Sequence, residues 1–212
     1  MKRIWLVLIL LSSIAVSTSA CRDDPDGVLP GYYAHPDLLA KMQADFDEEA
    51  AQAQSPKSFS ELTIVFVPCM FQFCFPQFIP PNEIEIAIPV FSVFWKAEVE
   101  QYLLSNVIAP LSPPGIFFSE RLINQWATRF QETKTCTGFL RGEFQSLTIW
   151  AMLPSFPCPF FDGFCGALYQ PPNEIFLGHS FLDKHEFIHF LLWVNTGDDD
   201  SNHQSPFFVT CV

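Results

Sequence analysis

Positive charge is scarce in this chain. Its 212 residues hold 11 Lys and Arg against 23 Asp and Glu, a formal net charge of −12. No stretch gathers the basic residues into a patch, which argues against nucleic acid as a partner. Long apolar runs are also missing, apart from one at the start. There Lys2 and Arg3 precede a mostly apolar run, residues 4–16, too short for a comfortable membrane span. Histidine is rare, with five in all. Four of the five (His179, His185, His189 and His203) crowd into the last 34 residues.

What is present begins with a targeting pattern. The basic start and apolar run end in the small residues Ser17-Thr18-Ser19-Ala20, followed by Cys21. The pattern has two readings, secretory cleavage after Ala20 or a bacterial lipoprotein signal that lipidates Cys21, and either one exports the chain. Parity favours lipidation. Of seven cysteines, setting Cys21 aside leaves Cys69, Cys74, Cys136, Cys158, Cys165 and Cys211, an even set of disulfide candidates. Spacing suggests a Cys69–Cys74 staple and a tail tied by Cys211 to an earlier loop. A lipid at Cys21 would be the only membrane attachment. The expected location is the bacterial cell envelope, or the medium if the chain is freely secreted.

Hydrophobic residues make up 49% of the chain, enough for one globular domain with a real core. The 24 Phe and 18 Pro suggest short elements joined by irregular connections around large buried rings. After a signal peptide over 1–20, residues 21–58 are acidic, rich in Ala and Gln, and punctuated by Pro. They read as a disordered tether with at most one weak helix over 36–54. The domain is expected over 59–212. Strands are expected at 62–67, 83–90, 146–153 and 174–178, and helices at 96–108 and 119–132, the latter capped by Ser119. "PPNEI" occurs at 80–84 and again at 171–175, but the flanking sequences do not match, so no fold repeat is inferred. Two Cys-Phe-Pro loops are expected to pack their rings inward around disulfides. The fold class is α+β, with a twisted mixed sheet packed on helices and loops stapled by disulfides.

The segment "SFLDKHEFIHFLLWVNTG", 180–197, carries the chemistry. Ser180 and Asp183 form a capping pattern, and Gly197 suits a helix stop. His185 and His189 are four apart and share one face of that helix, a turn from each other. Two imidazoles so placed can hold one metal ion. Glu186, turned about 100° round the axis, can reach a metal-bound water and take its proton. Chance alone produces H-E-x-x-H on the order of once in two hundred chains of this composition.

Two histidines and a water do not complete a tetrahedral zinc site, so a third protein ligand is needed. His203, on the polar turn that follows the helix, is the first choice. Asp198, Asp199 and Asp200 are alternatives, or one of them accepts the outer N–H of a ligand histidine. The spacing of Asp198, Asp200 and Asn202 also evokes a calcium loop, but it lacks the Gly and the Glu such loops require. Phe207 and Phe208 should bury the "SPFF" turn and aim His203 inward. His179 has no assigned role.

His185-Glu186-Phe187-Ile188-His189 resembles the active-site helix of the zincin metallopeptidases. The tail, 197–208, is similar to that of uncharacterised bacterial lipoproteins sharing a GD…H-x-S-P pattern. The stretch after His189 lacks the further Gly and His of the metzincin branch. The resemblance implies a zincin-like domain holding one Zn2+ through His185, His189 and a third histidine. It also implies Glu186 as catalytic base, and a peptide or protein substrate added to a strand beside the helix, a position expected for 173–178. The function expected is zinc-dependent peptide-bond hydrolysis outside the cytoplasm. The alternatives are a non-catalytic zinc protein and a disulfide-stapled envelope module in which the motif is incidental.

Overall fold

A computed structural model describes residues 30–68, 75–105, 113–158 and 162–212. The expected targeting segment, Cys21, Cys69 and Cys74 lie outside the described residues. The fold is α+β with mixed sheets, built from two halves of the same topology. The first half runs β1 (Gly31–Ala34), α1 (Pro36–Ala53), β2 (Thr63–Val67), β3 (Gln77–Ile79), β4 (Glu83–Ala87) and α2 (Ser92–Leu104). The second runs β5 (Gly115–Phe118), α3 (Glu120–Thr137), β6 (Thr148–Ala151), β7 (Phe156–Pro157), β8 (Phe164–Cys165), β9 (Ala167–Gln170), β10 (Glu174–Leu177) and α4 (Asp183–Thr196). A last short helix, α5 (Phe207–Thr210), closes the chain.

Instead of the single sheet expected, the described residues form two of four strands, in the orders β3-β4-β2-β5 and β9-β10-β6-β1, besides the β7–β8 hairpin. Each large sheet takes three strands from one half and its lead strand from the other. β5 lies parallel to β2 from Gly115 opposite Thr63, and β1 lies parallel to β6 from Gly31 opposite Thr148. The two lead strands therefore interlock the halves. The two PPNEI copies occupy matching places, each turning an antiparallel outer strand into a parallel inner one. The repeat dismissed on flanking sequence is thus present in topology. What the halves share is burial pattern and chain direction, which many sequences can encode.

The tether expected over 21–58 also needs correction. From residue 30 onward this stretch is part of the fold. Gly31–Ala34 pairs along the whole of β6, and α1 buries Leu38, Met42 and Phe46, spaced four apart, at the centre of the core. His35 caps α1 by accepting the Asp37 N–H, and Pro36 fills the first turn, where no N–H partner is lost. Asp45, buried on the same helix, pairs with Lys41 and lies 4.0 Å from Lys96 of α2.

α3 begins where Ser119 accepts the Leu122 N–H at 3.2 Å, and it stops at Gly138 in the left-handed conformation. Its buried stripe of Leu122, Trp126 and Phe130 meets Phe187 and Phe190 of α4, with Phe130–Phe187 edge to face at 5.3 Å. This contact seats α4 against the core. α2 starts four residues earlier than expected, at Ser92, and ends at Leu104, four short of the expected end. Two disulfides are formed among the described cysteines, Cys136–Cys211 and Cys158–Cys165. Cys211 is tied to a helix rather than to a loop. The Phe loops pack inward only in part: Phe156 is buried, whereas Phe75 and Phe164 are exposed. No helix among the described residues is long and apolar enough to cross a membrane. The disulfides fit a location outside the reducing cytoplasm.

Candidate metal centre

α4 is the most deeply buried helix segment of the second half. Phe187, Ile188, Phe190 and Leu191 are 0–2% exposed. The expected Ser180 cap does not form. Residues Ser180–Leu182 make a turn of 3-10 helix instead, and α4 starts at Asp183 without a side-chain cap. The Asp183 carboxylate accepts the Lys184 N–H at 2.7 Å and pairs with Arg129 of α3 at 2.9 Å. Arg129 also donates to the Ser180 carbonyl at 2.9 Å. This joint fixes the start of the helix against α3. Burial pushes the Asp183 carboxyl up, and the Arg129 guanidinium pulls it back in part.

The helix presents His185 and His189 on one face, with Nε2 atoms 3.3 Å apart. Gly197, left-handed, ends the helix and turns the chain back. The next nine residues form a hook held largely by its own carboxylates. Asp198 accepts the Asp200 N–H at 2.8 Å, and Asp200 accepts those of Gln204 at 3.0 Å and Ser205 at 2.5 Å. Asp200 and His203 both take positive φ, 53° and 55°, a region that Asp and His enter more readily than most residues. At the tip His203 Nε2 comes 2.9 Å from His185 Nε2. Donor atoms of His185, His189 and His203 all lie within 4.8 Å of one another.

The spacing suits a metal ion. Nitrogens bound at 2.0–2.1 Å to one tetrahedral zinc stand ~3.4 Å apart, close to the 3.3 Å of His185–His189 and within reach of the 2.9 Å of His185–His203. The proton positions suit one as well. His189 Nδ1 lies 2.6 Å from the Asp199 carbonyl oxygen. A carbonyl only accepts, so Nδ1 carries the hydrogen and Nε2 offers its lone pair to the cluster. Burial, with the two neighbouring imidazoles, pushes His185 down to about 4, and burial lowers His189 also. Both are therefore neutral, the form that ligates, at ordinary pH.

Glu186 is 4% exposed, and burial pushes its carboxyl up to about 8. The backbone N–H of Tyr169, on β9, donates to it and opposes part of that rise. The Tyr169 ring lies parallel to His189 with centroids 6.4 Å apart, and its hydroxyl donates to the Pro172 carbonyl at 2.7 Å. Phe208 touches all three imidazoles, with centroids 5.0, 4.6 and 4.7 Å from His185, His189 and His203.

The motif residues and His203 thus come together as expected, and Phe208 packs behind them. Asp198 and Asp200 are not in the donor cluster. Their carboxylates accept backbone N–H groups of the hook. The outer partner of His189 is a main-chain carbonyl, that of Asp199, rather than a carboxylate. His179 stays outside the cluster, against Phe181 and Gly166, with its Nδ1 buried and without a hydrogen-bond partner among the described residues. The strand expected to offer its edge, β10, is flanked on both sides by β6 and β9. The outer strand beside α4 is β9. Tyr169 was missed altogether, and only its lone place between two turn signals hinted at a strand.

No family model, curated protein or solved structure matches this chain.

Proposed function

We propose that this chain is a zinc-dependent peptide hydrolase of zincin-like architecture that works outside the cytoplasm, as a lipoprotein anchored through Cys21 or freely secreted. One observation carries the reading: three imidazole donors within 4.8 Å of one another, with a buried glutamate next in sequence to the first. Three imidazole nitrogen donors, one of them exposed, suit zinc with a coordination position left open. When bound, such an ion acts as a Lewis acid and brings the pKa of a water at its open position near 7.

The chain's own residues supply the rest. Glu186, buried next to the donors, would serve as the group that takes up and returns a proton. The Tyr169 N–H fixes the direction of its carboxylate. The Asp199 carbonyl and Phe208 hold the imidazoles in place, so little reorganisation accompanies binding. β9 offers a substrate backbone an outer edge. Gly178 N–H bonds to the Gly166 carbonyl, so in the antiparallel register Gly166, Leu168 and Gln170 face β10. The N–H and C=O of Ala167 and the C=O of Tyr169 point the other way, whereas the Tyr169 N–H is held by the Glu186 carboxylate. An extended peptide laid there would be recognised through its backbone, which implies broad sequence tolerance.

Elemental analysis of purified protein, paired with a casein or peptide-library digest, tests the proposal. The expected result is about one zinc per chain, with Glu186→Gln keeping the zinc and losing cleavage by ~100-fold or more. A metal-free chain, or a Glu186→Gln variant that cleaves as fast as the parent, overturns it.

A further inference from the structure

We infer that the Cys136–Cys211 disulfide is a positioning element of the metal centre, and that through it α3 holds His203 in place. The inference rests on the zinc reading above and adds what makes the third ligand available. His185 and His189 ride on a helix buried in the core, so their places are set by the fold. His203 is different: it is exposed, on a hook whose carboxylate bonds run mostly within the hook itself. Apart from the Asp199 carbonyl bonded to His189 and the donor contacts of His203, the hook is anchored at its two ends. At the near end it continues from Gly197. At the far end it runs into α5, four residues long, far too short to be stable by itself.

Little apolar burial holds α5 down. Its satellite core has three buried members, Ile188, Leu192 and Cys211, with Phe139, Phe207 and Phe208 packed alongside. Val209 on the same turn is 87% exposed. The covalent tie to Cys136, in the last turn of α3, is what closes this end. Between the tie and the metal stands Phe208, whose ring packs on all three imidazoles. With the tie cut, the tail is held by its link to Gly197, the Asp199–His189 hydrogen bond and the small apolar contacts of α5 alone, and the local concentration of His203 at the other two donors falls. α4 keeps its place, because Phe187 and Phe190 still pack on Phe130.

Zinc affinity of the full chain, measured by competition with a chromophoric chelator, tests this. The variants are Cys136→Ser/Cys211→Ser, His203→Ala, all three changes together, and Cys158→Ser/Cys165→Ser as control. The disulfide-free variant should bind zinc at least tenfold more weakly, and the control within threefold of the parent. Adding His203→Ala to the disulfide-free variant should cost at least tenfold less than it costs the parent, because much of that ligand's contribution has already been lost. Unchanged affinity without the disulfide, or losses that multiply, overturns the inference. Should that variant fail to fold by circular dichroism, the parent loaded with cobalt(II) takes its place. A trialkylphosphine with one water then converts the disulfide to two thiols and itself to the phosphine oxide. The visible cobalt spectrum should change before helicity is lost, and simultaneous loss of both overturns the inference. A parent that binds no zinc at all removes the zinc reading itself, a distinct outcome.

Discussion

His185 and His203 bring their Nε2 atoms to 2.9 Å, although 18 residues separate them along the chain. Two imidazoles that close cannot both be protonated, and the mutual repulsion is part of what lowers His185 to about 4. The hook therefore does more than deliver a donor: it helps keep its neighbour in the ligating form. Removing a residue that merely orients a metal ligand costs about 10–100-fold in affinity. His203→Ala removes a donor itself, so zinc affinity should fall by at least ~100-fold, read by chelator competition. His179→Ala, outside the cluster, should leave it unchanged.

Glu186 makes a prediction about pH. Its folded value of about 8 lies above the ordinary 4.5, so the folded chain holds a proton that the unfolded chain releases. Its contribution to stability is fully present below pH 4.5 and is lost as pH rises through 8. Glu186→Gln keeps the shape without the charge. In the presence of chelator, the variant should melt higher than the parent at pH 8.5, and the gap should close towards pH 4.5. A constant gap across that range would show that burial does not govern this carboxyl.

Arg129 and Asp183 anchor the start of α4. Asp183 is wholly buried, so Arg129→Ala leaves its charge without the guanidinium. Breaking such a pair costs about 3–5 kcal/mol when fully buried. Arg129 is partly exposed, so a loss of about 2–3 kcal/mol by urea denaturation is expected. Without the arginine, burial raises the Asp183 carboxyl further. The penalty is then the cost of keeping a charge, absent at low pH and growing as pH rises. It should be smaller at pH 4 than at pH 7.

Much of this site was legible because its chemistry is local. The spacing of His185, Glu186 and His189 states a helical face outright, and Gly197 marks where that helix must stop. His203 could be chosen because a third ligand was required and few histidines exist. Main-chain groups cannot be read in this way: any residue at 199 would supply the carbonyl that His189 uses, and any residue but proline at 169 the N–H that Glu186 uses. The interlocked sheets were illegible for a related reason. β1 and β5 are four residues each, and their partners lie far along the chain. The buried stripe of Leu38, Met42 and Phe46 was visible in principle, but acidic and Ala-Gln composition outweighed it.

The two disulfides should differ in their contribution to stability. Closing a loop of 75 residues, as Cys136–Cys211 does, restricts the unfolded chain by about 4 kcal/mol in the chain-entropy picture. Cys158–Cys165 spans 7 residues and restricts it by about 2 kcal/mol. Serine pairs at each site, melted in the presence of chelator, should reproduce that order. Equal losses would mean that native contacts rather than chain restriction set the effect.

The edge of β9 gives the sharpest test of how a substrate would sit. Ala167 points its N–H away from β10, so replacing it with proline removes one outward donor and no bond within the sheet. The metal donors lie on α4 and the hook, so zinc content should not change. If substrate backbone pairs with this edge, Ala167→Pro should lower kcat/KM for peptides by ~10-fold, the worth of about one hydrogen bond. A small activated ester needs no strand pairing, and its hydrolysis should be unaffected. Equal loss on both substrates would place the damage at the metal centre, and no loss on either would move the peptide off β9.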